Sequence, residues 1–159
     1  MSDKAAWYAR LSDTTTECEK NVKKNQHTLI GQLVFNRPEN RNSLTPEMLE
    51  ALKEAITAAK NDSAIRCLIV TGTGENFCAG GDFKGGAENS KIPFSQQGLI
   101  DTYSICMELL NITVPVIGAL NGHAIGGGFG VALLSDIRIA NSTSLYGANF
   151  ARLGMHSGM

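Results

Sequence analysis

Pro115-Val116-Ile117-Gly118-Ala119-Leu120-Asn121-Gly122-His123-Ala124-Ile125-Gly126-Gly127-Gly128-Phe129 is the stretch on which the reading of this chain turns. Its first six residues form a short apolar run, which suits a buried strand. Asn121-Gly122 interrupts that run, and three consecutive glycines then lead into an apolar helical pattern over residues 129–134. A strand that passes through glycines into a helix is a building unit of α/β architecture. The same design recurs upstream. Residues 66–71 carry Cys67-Leu68-Ile69-Val70, read as a strand buried on both faces, and they open into a glycine-rich loop over residues 72–86.

Working outward, the clearest helix starts at Thr45. Its hydroxyl can cap, Pro46 suits the first helical position, and Glu47 and Glu50 favour the positive end of the dipole. Met48, Leu49, Leu52, Ala55, Ile56 and Ala59 then recur at helical spacing until Lys60-Asn61 closes the element. Residues 99–110 read as a second helix with Leu99, Ile100, Tyr103, Met107 and Leu110 on one side. Residues 136–140 read as a half-exposed strand in which Ile137 and Ile139 alternate with Arg138. Residues 14–22 and 28–35 suggest a hairpin about Lys23-Lys24-Asn25, ended by Pro38, which has no N–H to give a ladder. Residues 1–13 are taken as an N-terminal extension and residues 87–98 as a connection of no clear period. The expectation is one α/β domain over residues 14–159.

The 159 residues carry 14 basic and 15 acidic side chains, a net charge of −1, so nothing in the balance suggests a nucleic-acid or membrane-surface partner. Hydrophobic residues at 43% and charged residues at 18% place the chain among globular proteins. Cys18, Cys67, Cys78 and Cys106 have no metal-ligand spacing and read as reduced thiols of an intracellular protein. The first ten residues hold no apolar signal region, and no apolar run approaches a membrane span. A soluble protein is expected, with cytoplasmic and mitochondrial placement both open.

The chemistry resides in two glycine loops. Asn76-Phe77-Cys78-Ala79-Gly80-Gly81-Asp82-Phe83 and Ala124-Ile125-Gly126-Gly127-Gly128-Phe129 each let main-chain N–H groups approach a ligand closely. The second also opens a helix, whose first N–H groups favour negative charge. Two such donors on one oxygen make an oxyanion hole. Tight turns alone would account for the same glycines. A dinucleotide site does not fit, because Gly72-Thr73-Gly74-Glu75-Asn76-Phe77 has Phe77 where the last glycine belongs, and no GxxxxGK run exists.

Taken together, Asn36-Arg37-Pro38, Asn42-Ser43-Leu44, Phe77-Cys78-Ala79-Gly80-Gly81-Asp82, Asn121-Gly122 with Gly126-Gly127-Gly128, Asp136-Ile137-Arg138-Ile139-Ala140 and Tyr146-Gly147 resemble the enoyl-CoA hydratase/isomerase (crotonase-like) superfamily in both order and spacing. The resemblance implies a spiral of ββα units that binds an acyl-CoA thioester, with coenzyme A as part of the substrate and no separate cofactor or metal. It also implies a homo-oligomer, a trimer or a dimer of trimers. By motif position the oxyanion donors would be the N–H groups of Ala79 and Gly127. Arg41, Ser43, Gly80, Gly81, Asp82, Gly126 and Gly130 would line the substrate site.

Two departures accompany the resemblance. Family hydratases use a pair of glutamates, and the matching positions here are Gly130 and Phe150, the latter in Asn149-Phe150 where relatives carry Pro-Glu. Neither side chain moves a proton. Relatives also continue into a helical C-terminal segment, so that segment is expected to be missing and the helices at 46–60 and 99–110 to lose cover. Three functions are compatible with this pattern: an acyl-CoA enzyme with a non-standard proton donor, a non-catalytic acyl-CoA binder, and an inactive truncated fragment that associates. Cys78 is read as a small core residue, His123 as a packed histidine, and Asp82 as a ligand-orienting turn residue. His156 has no evident partner in the sequence, and Glu88, in a connection read as mobile, could reach the pocket only if that connection folds over it.

Overall fold

The computed structural model describes residues 5–11, 30–82, 96–154 and 156. Its core is a five-stranded sheet in the order β1-β2-β3-β5-β7, formed by Ala6–Leu11, Ile30–Phe35, Cys67–Gly72, Val116–Leu120 and Ile137–Ala140. β1 runs antiparallel to β2, and the remaining neighbours are parallel. A smaller parallel sheet takes β4 (Asn76–Cys78), β6 (His123–Ile125) and β8 (Tyr146–Gly147) in that order. Consecutive strand pairs therefore place one member in each sheet: β3 with β4, β5 with β6, β7 with β8. This repetition is the crotonase-like spiral of ββα units.

The helix at Pro46–Asn61, α1, forms for the local reasons legible in the sequence. Thr45 Oγ1 accepts the Met48 N–H at 3.2 Å, a cap contributing about 1 kcal/mol. Met48, Leu49, Leu52, Ala55, Ile56 and Ala59 are all buried against β1 and β2. Each large member of that stripe contributes about 1.5–3 kcal/mol. The core extends through Leu33, Phe35, Leu68, Val70 and Val116 to Phe77 of the small sheet. Phe35 and Phe77 meet edge to face at 5.4 Å, which ties the two sheets together.

Several expectations are corrected. Residues 6–11 are not an extension but the antiparallel partner of β2, in register from Ala6 opposite Phe35 to Leu11 opposite Ile30. The lack of a signal region left their strand character unnoticed, although Trp7-Tyr8 is β-prone material. The first strand of the expected hairpin, residues 14–22, lies outside the described residues. So do residues 87–95 of the expected connection, while the helix α2 begins at Gln96 and runs to Met107. A 3₁₀ turn at Glu108–Asn111 completes it.

The apolar side assigned to α2 is also reversed. Thr102, Cys106 and Leu109 are buried, whereas Ile100 is 48% exposed, Met107 43% and Leu110 57%. Small and polar residues let this helix lie close to its neighbours, with Thr102 donating its hydroxyl to the Gly98 carbonyl at 2.8 Å. β3 alternates rather than being buried on both faces: Leu68 and Val70 are buried, Cys67 and Ile69 half-buried. β7 is exposed along its whole length, Ile137 at 55% and Ile139 at 66%. Gln32, Ile69, Ile117 and Ile137 share one row across the sheet face away from α1. The cover of α1 is thus intact, and the open apolar surface lies on α2 and on that far sheet face. Among the described residues no helix is long and apolar enough to cross a membrane.

Candidate functional site

The glycine loops are built on strands that the sequence reading missed, because β4, β6 and β8 are only two or three residues long. β4 delivers Ala79-Gly80-Gly81-Asp82 to the edge of a cavity of ≈ 280 Å³. The cavity is lined by Glu39, Asn40, Arg41, Ser43, Ala79, Gly81 and Asp82. Arg41, Ser43, Gly81 and Asp82 therefore meet in one place. Glu39 and Asn40 were not anticipated. They sit in the 3₁₀ turn Pro38–Asn40, and its Pro38-Glu39-Asn40 sequence gave no signal beyond a turn.

That turn is held at some conformational cost. Arg41 and Asn42 both take positive φ, 54° and 55°. Non-glycine residues in this region cost of order 1–3 kcal/mol each and cluster where surrounding structure over-determines them. The constraints are visible. Asn42 is buried, its Oδ1 accepts the Arg37 N–H at 2.8 Å, and its Nδ2 donates to Thr73 O at 3.0 Å and Asn76 O at 2.8 Å. Arg37 pairs with Glu39 at 3.0 Å and also with Glu47. The hydrogen bond from Arg37 holds the Glu39 carboxyl below its usual range.

The run 79–82 lies alongside the turn as a short parallel bridge between Leu44 and Gly81. Ala79 N–H donates to the Arg41 carbonyl at 3.0 Å, and Leu44 N–H donates to the Gly80 carbonyl at 2.8 Å. This corrects the expectation for Ala79: its donor is spent within the protein and cannot grip a ligand oxygen. Motif position alone could not reveal this, because the bond depends on how the 41–44 run pairs with the loop. In a parallel bridge the neighbours of the facing residue make the bonds, so Gly81 turns its own N–H away from the 41–44 run. Among the described residues that N–H has no backbone acceptor.

Behind this loop packs the second one. Gly126 N–H donates to Gly147 O at 2.9 Å, and the short helix α3 (Gly127–Leu133) starts immediately after. As its first residue, Gly127 has no intrahelical acceptor for its N–H. Gly80, at φ +81°, is the point of approach. A Cβ there would lie 2.5 Å from Ile125 O and 3.1 Å from Gly127 N, so only glycine lets the loops come this close. The Gly127 N–H group thus lies close to Gly80, the residue that precedes Gly81. Gly126, Gly127 and Gly128 are buried and Gly130 half-buried, and none of them lines the cavity itself.

The positions matching the family glutamates are also brought to this loop. A Cβ on Gly126 would lie 3.2 Å from Asn149 Oδ1 and 3.8 Å from Phe150 Cε1. Gly130 follows one turn later, its N–H bonded to Gly126 O at 3.0 Å. The arrangement is kept while both acid/base side chains are absent.

Two of the remaining candidates, Cys78 and His123, resolve as structural residues. Cys78 is buried, and desolvation pushes its thiol up to about 12, which fits a core residue and not a nucleophile. His123 Nδ1 accepts the Leu145 N–H at 2.8 Å and pins β8 beside β6. Asp82 lies on the cavity edge, His156 is exposed, and Glu88 falls outside the described residues.

Residues 25–159 match the family model described as enoyl-CoA hydratase/isomerase. Among curated proteins, the chain is 36% identical over 129 residues to "Probable enoyl-CoA hydratase echA14" of Mycobacterium tuberculosis, covering 81% of this chain and 50% of that one. It is 36% identical over 139 residues to "Probable enoyl-CoA hydratase echA12" of Mycobacterium bovis, covering 82% and 46%. The fold is similar to the crystal structure of an enoyl-CoA hydratase from Polaromonas sp. JS666, with TM-score 0.71, 33% identity, and coverage of 80% of this chain and 51% of that one. An enoyl-CoA hydratase from Bacillus anthracis matches at TM-score 0.70 and 30% identity, covering 81% and 50%. The chain spans about half the length of the curated relatives it matches. With the family model covering most of its length, this chain belongs to the enoyl-CoA hydratase/isomerase family of the crotonase superfamily.

Proposed function

We propose that this protein binds an acyl-CoA thioester with its carbonyl oxygen between the N–H groups of Gly81 and Gly127, and that these donors stabilise the enolate formed at the neighbouring carbon. The observation that carries the reading is the close approach of Gly80 to Gly127 N, with no backbone acceptor for the Gly81 and Gly127 N–H groups among the described residues, beside a cavity lined by Arg41, Ser43 and Asp82. Donors aimed at a developing oxyanion stabilise it without reorganising, and this is the largest single contribution in many enzymes. Polarising the thioester carbonyl makes the α-carbon acidic, a step common to hydration and isomerisation. The names of the relatives support an enoyl-CoA as the acyl-CoA.

A second reading is favoured by one observation. Phe150 and Gly130 occupy the acid/base positions while the loop beside them is intact. On this reading the protein binds acyl-CoA without turning it over.

A structure with crotonyl-CoA bound tests the shared part of both readings. The carbonyl oxygen is expected about 2.7–3.1 Å from both nitrogens. A thioester oxygen contacting neither Gly81 N nor Gly127 N removes the oxyanion site.

A further inference from the structure

Two asparagine side chains meet on one backbone carbonyl. Asn42 Nδ2 donates to Asn76 O at 2.8 Å, and Asn121 Nδ2 approaches the same oxygen at 3.4 Å. The same two amides hold most of the β3–β4 corner. Asn42 Nδ2 also donates to Thr73 O at 3.0 Å and Asn121 Nδ2 to Gly74 O at 2.9 Å, while Asn121 Oδ1 accepts the Gly72 N–H at 3.0 Å.

The place where they converge matters. β4 pairs with β6 in register at Asn76 opposite His123 and Cys78 opposite Ala124, with a shift between the two pairs. An irregularity of this kind disrupts the ladder locally and re-aims the residues beyond it. Asn76 O is therefore fixed by side chains where strand pairing is interrupted. Two residues beyond Cys78 begins the Gly80-Gly81 approach, and five residues beyond Asn121 comes Gly126. Each amide lies at the root of an element of the site: Asn42 between Arg41 and Ser43 of the cavity lining, Asn121 at the start of the run leading to Gly127.

We propose that Asn42 and Asn121 are positioning residues which, by both holding the Asn76 carbonyl, set the separation of the Gly81 and Gly127 N–H donors. The inference rests on the reading that those donors grip the thioester oxygen. Its consequence is specific: loosening the clamp degrades the polarisation of the carbonyl more than it degrades binding, because Arg41 and Ser43 line a part of the cavity that Asn121 does not touch.

The test is isotope-edited infrared spectroscopy of crotonyl-CoA labelled at the thioester carbonyl, with dissociation constants and melting curves alongside. Asn121→Asp is nearly isosteric, keeps an acceptor for the Gly72 N–H, and removes both amide donations. The expected result is loss of at least about half of the wild-type carbonyl shift with affinity changed less than about threefold, or under 0.7 kcal/mol. Asn141→Ala is the control. Asn141 Nδ2 donates to Asn121 O at 3.1 Å and Oδ1 accepts the Thr143 N–H at 3.0 Å, so this change costs hydrogen bonds at the next corner without touching Asn76 O. It should lower the melting temperature and leave the carbonyl shift in place. If Asn121→Asp is recovered only unfolded, Asn42→Ser removes the other amide donation to the same oxygen. A full carbonyl shift in the folded variants overturns the positioning role, as does equal loss of shift in Asn141→Ala. A wild-type complex that binds crotonyl-CoA with no carbonyl shift overturns the donor pair itself, and the inference with it.

Discussion

Crotonyl-CoA hydration by this protein is expected to be slower than by a two-glutamate relative by about 10²–10⁴-fold for each acid/base group it lacks. Water must lose a proton as it attacks and the α-carbon must gain one. At the two matching positions the chain offers Gly130, one turn into α3, and Phe150, whose ring edge approaches the Gly126 loop. No rearrangement of those side chains supplies a proton. The expected profile is saturable binding with residual turnover, since donors on the carbonyl oxygen still lower the barrier to enolate formation. Loss of enoyl absorbance at saturating crotonyl-CoA reads the rate directly. Hydration as fast as in a competent relative would show that another group carries the proton. Asp82, on the cavity edge, would then be the first to replace with asparagine.

Gly128→Ala is expected to be strongly disruptive near the site. A Cβ there would lie 2.1 Å from Cys78 O and 2.7 Å from Cys78 C, both backbone atoms that no rotamer change can move. β4 and α3 would have to separate, which opens the approach of the two loops as well as the core around Cys78. Overpacking costs about 1–3 kcal/mol when side chains can yield, and more when they cannot. A loss of about 3 kcal/mol lowers the melting temperature by roughly 6–12 °C in a chain of this size. Gly147→Ala provides the comparison, because nothing lies within 4 Å of its Cβ position. Equal melting temperatures for the two variants would mean that β4 and α3 are not in close contact in solution.

The sequence disclosed the features that depend on local chemistry. Thr45, Pro46 and the stripe from Met48 to Ala59 specify α1 without reference to anything else, and its start, end and buried face agree with the structure. Of the long strands, β2, β3, β5 and β7 were legible as short apolar or alternating runs, whereas β1 was not. The features that escaped depend on partners distant in the chain. The two- and three-residue strands have no period to detect, and they exist because they pair in parallel with one another. The exposed side of α2 was misassigned because helical spacing identifies an apolar stripe but not which side the fold covers. At the site, motif order named Arg41, Ser43, Gly81 and Asp82, and these four line one cavity. It assigned a donor role to Ala79, whose N–H is claimed by Arg41, a partner 38 positions earlier.

The corner at Asn121-Gly122 also bears on how the protein ages. In a flexible chain an Asn-Gly pair cyclises readily: the following backbone nitrogen attacks the side-chain carbonyl and expels ammonia to form a succinimide, which water then opens to aspartate or isoaspartate. Here both ends of the Asn121 amide are engaged, by the Gly72 N–H and the Gly74 carbonyl, and a Cβ at Gly122 would lie only 1.8 Å from Glu75 O. The backbone nitrogen cannot swing onto the side chain without breaking that corner, so the folded protein is expected to keep Asn121 intact on storage. Peptide mapping of aged samples, folded against denatured, reads this, and equal conversion in both would show the corner opens freely. Once formed, the carboxylate lacks the donors that held Gly74 O and Asn76 O, so any deamidation that occurs while the chain is unfolded leaves a permanent defect at the junction of the two sheets.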